Sequence, residues 1–229
     1  MSGGFRSRSK SGDPVARTER AEQQRSGGRR TARGGTHRQT KGKRENRGGQ
    51  RQHSRRGRQP ASFMSAARRC GVDVPRAVAF EVLQRVEADD AFANLTLPKV
   101  VSANNLSGRD AAFSTELTYG TLRSEGVLDA VIAECASRGL EAIAPDVLIA
   151  LRMGTYQVLY TRVEAHAAVD TTVRLVEAAG HEKAKGFANG IMRTITRTPA
   201  QGWLDKLAPK EEVAAVAFRH AHPEWIARS

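Results

Sequence analysis

Residues 147–195 read VLIALRMGTYQVLYTRVEAHAAVDTTVRLVEAAGHEKAKGFANGIMRTI, and three apolar periodicities follow one another within them. Leu148, Leu151, Thr155 and Val158 fall at three- and four-residue steps, as do Val169, Thr172, Val173 and Val176, and then Phe187, Ile191 and Ile195. Each set marks one face of an amphipathic helix. The joints carry turn chemistry: Gly180 closes the second helix, and His181 to Gly186 lead into the third. The spacing predicts an array of helical hairpins around which the neighbouring segments pack.

Upstream, Pro75 sits where a first helical turn tolerates proline. Val78, Val82 and Val86 then predict a helix over 75–88. Leu95, Leu97, Val100 and Val101 predict another over 94–103, whose start Pro98 obscures. Ser107-Gly108-Arg109-Asp110 is an S-x-x-D capping pattern. It opens a helix carrying Phe113, Leu117, Gly120 and Thr121 on one face, where the small pair Gly120 and Thr121 admits a neighbour closely. Leu128, Ile132 and Cys135 mark the next helix, ended by Gly139, and Pro145 opens the one after it. Downstream, Thr198-Pro199 is a stop, residues 203–207 read as a turn, and a last helix is expected over 209–220. No run alternates with period two. The expectation is an all-α bundle with order beginning near Asp73.

Charge divides the chain. Residues 1–69 hold 20 Lys and Arg against 4 Asp and Glu, and the remainder holds 17 against 20. The leader therefore carries +16 and the folded part −3, which together give the net charge of +13. Residues 1–65 are rich in Gly, Arg, Gln and Ser with few large apolar side chains, a composition that cannot offset the entropy of ordering. The leader is expected to be disordered. Its Arg33-Gly34-Gly35 and Arg47-Gly48-Gly49 suit loose association with polyanions, since mobile guanidinium groups release counterions from phosphates; a plain solubilising tail remains the alternative. The division is residues 1–70 as tail, 71–200 as helical domain and 201–229 as helical linker. No segment is long and apolar enough to span a membrane. Two cysteines give no disulfide framework, so a reduced cytoplasmic setting is expected; the chain is taken to be a monomer.

Catalytic motifs are not found. There is no GxxxxGK[ST] loop and no GxGxxG after a strand. The histidines lack metal-ligand spacing, so no metal site is expected. Cys135 reads as a small buried hydrophobe. His166, at a helix start, reads as a structural group satisfying a helix end. Asn189, within the apolar Phe187-to-Ile195 run, reads as a buried amide that bonds a neighbouring helix and fixes register. Candidate RNA contacts are Arg76, Arg109, Arg123, Lys183, Lys185 and Arg193, cations near helix ends or on polar faces from which a side chain reaches phosphates.

Four segments carry a resemblance. Arg109-Asp110-Ala111-Ala112-Phe113 with Glu116-Leu117-Thr118-Tyr119-Gly120-Thr121-Leu122-Arg123 looks like the third helix of the NusB family. Leu151 to Tyr160, LRMGTYQVLY, resembles its fifth, and Ala165-His166-Ala167-Ala168-Val169-Asp170 the start of its sixth. Phe187-Ala188-Asn189-Gly190-Ile191-Met192-Arg193 is similar to its F-V-N-A-V-L-R signature, with Gly190 in place of Ala and Met192 in place of Leu. The resemblance implies a NusB-like bundle over about 74–198. The closing Ala221-His222-Pro223-Glu224-Trp225-Ile226 is similar to a segment of the RsmB or Sun subfamily of 16S rRNA cytosine-C5 methyltransferases. There it joins the NusB-like domain to a Rossmann-type domain that uses S-adenosylmethionine. This implies the front portion of a larger enzyme that positions ribosomal RNA. The family's catalytic cysteines belong to the other domain, and neither Cys70 nor Cys135 lies in a matching motif. No cofactor site is thus expected within the chain itself. The alternative is a free-standing NusB-type antitermination factor working with a small ribosomal protein.

Overall fold

The computed structural model describes residues 62–222 and Ile226. The leader of residues 1–61 lies outside the described residues, as do Pro223, Glu224, Trp225 and residues 227–229, so the expected disorder and most of the His-Pro-Glu-Trp segment fall there. Among the described residues the chain is all-α: α1 (Phe63–Arg69), α2 (Val74–Asp89), α3 (Ala93–Ala103), α4 (Gly108–Arg123), α5 (Glu125–Cys135), α6 (Pro145–Tyr160), α7 (Ala165–Ala178), α8 (Lys185–Thr196), α9 (Ala200–Leu207) and α10 (Glu212–Arg219). Short 3-10 turns at Leu140–Ala142 and Glu182–Ala184 precede α6 and α8.

Helix α6 is the pillar. Sequence periodicity gives it one apolar face, yet Val147, Ile149, Ala150, Leu151, Met153, Gly154, Thr155, Tyr156, Gln157 and Leu159 are all buried, which covers most of its circumference. It packs against α2, α4, α5, α7, α8 and α9. Leu151 and Met153 are fully enclosed, and each such side chain contributes roughly 1.5–3 kcal/mol of transfer free energy. The threonine and glutamine in this core are satisfied locally. Thr155 Oγ1 donates to the Leu151 carbonyl at 2.7 Å, and Gln157 Nε2 to the Met153 carbonyl at 3.1 Å.

Helices α7 and α8 form the expected hairpin on this pillar. The buried stripe of α7 is Ala168, Thr172, Leu175, Val176 and Ala178. Val169 and Val173, assigned to the same face from their spacing, are only half-buried at its edge. In α8 the buried stripe is Ala188, Ile191, Met192 and Ile195, and Phe187 stands 40% exposed. Gly180 ends α7 as expected: its φ is +87°, and the His181 amide donates back to the Val176 carbonyl at 3.0 Å, the glycine-terminated closure that left-handed backbone permits.

Several expectations are corrected. Order begins before Asp73, because Ser62 caps α1, and its Ala67 is fully buried while Phe63 stacks on Phe80 at 4.9 Å between ring centroids. Ser107 does stand at the start of α4, but its side chain makes no capping bond. Pro98 lies inside α3, on an exposed position. Residues 203–207 are not a turn but the end of α9, held by Trp203, whose indole Nε1 donates to the Ile195 carbonyl at 2.9 Å. The last helix is shorter than expected, since Glu211 caps it by accepting from the Val213 and Ala214 amides.

Candidate nucleic-acid interface

The six cations singled out from sequence go to different places. Arg76 is committed internally. Its Nε donates to Gln157 Oε1 at 2.7 Å, its Nη1 pairs with Asp73 at 2.8 Å, and the guanidinium lies 4.8 Å from the centre of the Phe113 ring. It joins α2 to α6 and has little freedom to leave, so its geometry is that of a packing residue. Lys185 reaches back to Glu177 at 2.6 Å, and that hydrogen bond holds its ammonium above the ordinary lysine range.

Arg123 is exposed at the last residue of α4, beside a hollow of about 240 Å³ shared with Ala217, Phe218, Ala221 and His222. Arg109 is exposed near the start of α4, which packs on α2, α3, α5 and α6. Lys183 and Arg193 are exposed at the two ends of α8, Lys183 in the turn that leads into it. Arg109, Arg123, Lys183 and Arg193 make no ion pair with another described residue.

A groove between α7 and α8 gathers three residues that the sequence offers for separate reasons. It measures about 410 Å³ and is lined by Ala165, His166, Val169, Asp170, Val173, Asn189, Arg193 and Thr196. The first turn of α7 thus lies beside the last turns of α8. Asn189 is not the buried register-fixing amide expected from its apolar neighbours. It is half-buried, and its carboxamide has no hydrogen-bond partner among the described residues. The reason is angular: 189 and 193 are four apart and share a side of α8, turned about 100° per residue away from the buried 188, 191, 192 and 195. His166 is exposed, and its ring bonds no helix end. The groove therefore presents an imidazole, a carboxamide and a guanidinium beside an apolar wall.

A second hollow, of about 480 Å³, lies at the other end of α8 and was not foreseen from sequence. Its walls are Ala142, Ile143, Ala144, Val147, Ala184 and Phe187, and its rim carries Ser137, Arg138 and His181. Gln84 Nε2 donates to Asp146 Oδ1 at 2.8 Å, and the other oxygen of Asp146 meets His181 Nε2 at 3.3 Å. The ring is thereby held at the rim by a carboxylate 35 positions away, itself held by an amide a further 62 positions upstream, distances at which a sequence pattern gives no sign.

The described residues contain no strand and hence no strand-to-helix glycine turn of the kind that holds a dinucleotide or S-adenosylmethionine. They do not fit that cofactor. Among them no group of three or more His, Cys, Asp or Glu side chains is arranged so that it could hold a metal ion. Burial, chiefly, pushes the Cys135 thiol up, the opposite direction from that of an activated cysteine.

Comparison with known proteins decides the family. The sequence pattern of the NusB family matches residues 73–197, a little over half the chain. The chain belongs to the NusB family. Its NusB domain runs from the cap of α2 to the end of α8, with α1 before it and α9 and α10 after it. A Mycobacterium tuberculosis protein inferred to be a methyltransferase is 49% identical over 165 residues, which are 71% of this chain and 36% of that protein. The ribosomal RNA small subunit methyltransferase B of Pseudomonas putida is 32% identical over 174 residues, covering 67% of this chain and 39% of that one. The chain spans little more than a third of the length of these curated relatives. The NusB protein of T. maritima superposes with a TM-score of 0.51 at 18% identity, over 59% of this chain and 92% of that one. That likeness establishes the NusB fold. Among the described residues no helix is long and apolar enough to cross a membrane.

Proposed function

We propose that this chain is the RNA-positioning module of an S-adenosylmethionine-dependent methyltransferase that acts on C5 of cytosine in small-subunit ribosomal RNA, in the cytoplasm. The observation that carries the reading is the 49% identity of most of this chain to a methyltransferase relative, together with its 32% identity to a ribosomal RNA small subunit methyltransferase. The family match covers residues 73–197, which are helical throughout apart from their connections. A domain that grips the substrate beside a separate catalytic centre raises the local concentration of the target base and restricts its orientation.

The division of labour follows from charge. The leader holds 20 Lys and Arg within residues 1–69 and supplies sequence-independent attraction to phosphates, which weakens as salt rises. The folded part has more acidic than basic residues, so it does not bind polyanions broadly. Its unpaired cations on α7–α8 and α4 supply placement. The alternative, a free-standing NusB-type antitermination factor partnered by a small ribosomal protein, is supported by the family match and the fold likeness, which both readings share.

Fluorescence anisotropy tests the proposal with the full chain, small-subunit rRNA hairpins and a DNA duplex of equal length. Affinity for a subset of rRNA hairpins well above that for the duplex at near-physiological salt is expected. Equal affinity for every polyanion, vanishing together as salt rises, would overturn it.

A further inference from the structure

The groove between α7 and α8 has a composition that helix packing does not require. Asn189 presents two donors and two acceptor sites, and no described residue uses them. Arg193 and His166 are likewise without an ion pair or side-chain hydrogen bond to a described residue. Asp170 on the rim is held by Arg174 Nε at 2.8 Å, so its charge is offset and the guanidinium of Arg193 sets the sign of the groove. Thr196 is also spoken for, its hydroxyl donating to the Arg193 carbonyl at 3.0 Å. Val169 and Val173, displaced from the buried stripe of α7, form an apolar wall one turn apart. The volume of about 410 Å³ lies within the roughly 300–1,000 Å³ of small-ligand sites.

We infer that this groove holds one unpaired nucleotide of the RNA: Arg193 and His166 take its phosphate, Asn189 reads the edge of its base, and the face of the base lies on Val169 and Val173. The assignment rests on the RNA-positioning reading above and deepens it by naming a subsite. A nucleotide brings together the three features the groove complements: an anion, a flat apolar face, and an edge of alternating donors and acceptors. A carboxamide offers its oxygen and nitrogen side by side, the complement of the N6–N7 edge of adenine, so adenine is the preferred base. An acidic peptide would use the guanidinium and leave the carboxamide and the valine wall without a role.

The test uses the full chain and short single-stranded RNAs that differ at one central base. Asn189→Leu is expected to weaken the adenine-containing strand about tenfold and to level the four bases. Arg193→Gln is expected to weaken all four alike and to reduce the salt slope by about 0.7, the value for one contact to a single-stranded phosphate. Lys210→Gln, an exposed cation on the connection between α9 and α10, serves as the control and leaves both readouts unchanged. Should a variant unfold, the wild-type chain answers by itself. In a 1H–15N spectrum the Asn189 side-chain amide and Arg193 Nε resonances shift when the adenine strand is added. Tight RNA binding with those resonances unmoved, or with both groove variants unaffected, overturns the subsite and leaves the RNA-positioning function standing. Failure of the wild-type chain to bind RNA overturns both. Displacement of the strand by polyglutamate as readily as by RNA overturns the subsite in favour of a protein partner.

Discussion

Arg152 on α6 holds Asp129 on α5 by two parallel hydrogen bonds, Nε to Oδ1 at 2.7 Å and Nη2 to Oδ2 at 2.8 Å. The same guanidinium pairs with Glu125 at 2.8 Å and approaches Glu87 of α2 at 3.7 Å, with only 12% of its side chain exposed. One cation thus joins three helices and faces three carboxylates. Burial, the leading cause, pushes the Glu125 carboxyl up even though Arg152 pulls it down. Removing the guanidinium leaves like charges facing one another in a half-dry seam. Arg152→Met is therefore expected to lower unfolding free energy by about 2–3 kcal/mol, read from urea denaturation. A loss below about 0.5 kcal/mol, the level of an exposed pair, would show that the seam is wetter than the geometry implies.

Two glycines make opposite predictions from the same substitution. A Cβ on Gly120 would lie 2.0 Å from Tyr156 Cζ and 2.2 Å from its hydroxyl oxygen, whereas one on Gly190 meets nothing within 4 Å. Both are helical, so alanine gains about 0.5–1 kcal/mol of backbone propensity at either site. At Gly120 that gain is outweighed, because the buried Tyr156 ring must move, and Gly120→Ala is expected to cost about 1–3 kcal/mol. Gly190→Ala is expected to stabilise by the propensity alone. Thermal unfolding of the two variants checks both signs, and a stabilised Gly120→Ala would refute the close approach of α4 to α6.

The sequence foretells the first of these positions and not its partner. Gly120 and Thr121 announce a close helix–helix approach because small residues on an apolar face have one evident use. That the neighbour is Tyr156 depends on topology, which periodicity does not encode. The same limit explains the candidate site. Arg76 has the profile of a free cation at a helix start because, besides Asp73 three residues before it, its partner Gln157 is 81 residues away. Asn189 has the profile of a core residue because its neighbours are apolar, yet a rotation of about 100° places it on the groove side. The three hairpin helices were legible as helices, since each carries apolar residues at helical spacing, but the burial of most of the circumference of α6 and the exposure of Phe187 were not. Helix α1 was not: Phe63, Met64 and Ala67 are too few beside arginines to show a period, and their order comes from tertiary contact with Phe80 and the core.

That contact gives α1 a measurable role. Phe63→Ala removes a stacked pair and part of the apolar cover of α2, and is expected to cost about 1–2 kcal/mol. Equilibrium denaturation followed by far-ultraviolet circular dichroism is the check. An unchanged midpoint would mean that α1 contributes nothing to the body it lies against.

Tyr156 provides a titration with a definite sign. Its phenol is pushed up to about 12, first by burial and then by its hydrogen bond to the Glu116 carboxylate. An unfolded tyrosine titrates near 10. Because the folded value is the higher, the folded state keeps its proton longer. The stabilisation is fully present below about pH 10 and is lost as pH rises toward 12. Tyr156→Phe is expected to lack that loss, so the stability difference between wild type and variant narrows over this interval. In absorbance titration Tyr156 is expected to ionise well after an exposed tyrosine. Ionisation near pH 10 in the folded protein would show that the ring is hydrated.

The central claim is that the α7–α8 hairpin is where this NusB-family chain holds RNA. Ultraviolet cross-linking of the full chain to a small-subunit rRNA hairpin, followed by mass mapping of the joined peptides, addresses it most directly. The account predicts adducts within residues 165–197, on the peptides that carry His166, Lys183 and Arg193, besides any on the arginine-rich leader. Adducts confined to the leader, or concentrated on α2 and α3 with the hairpin untouched, would contradict it.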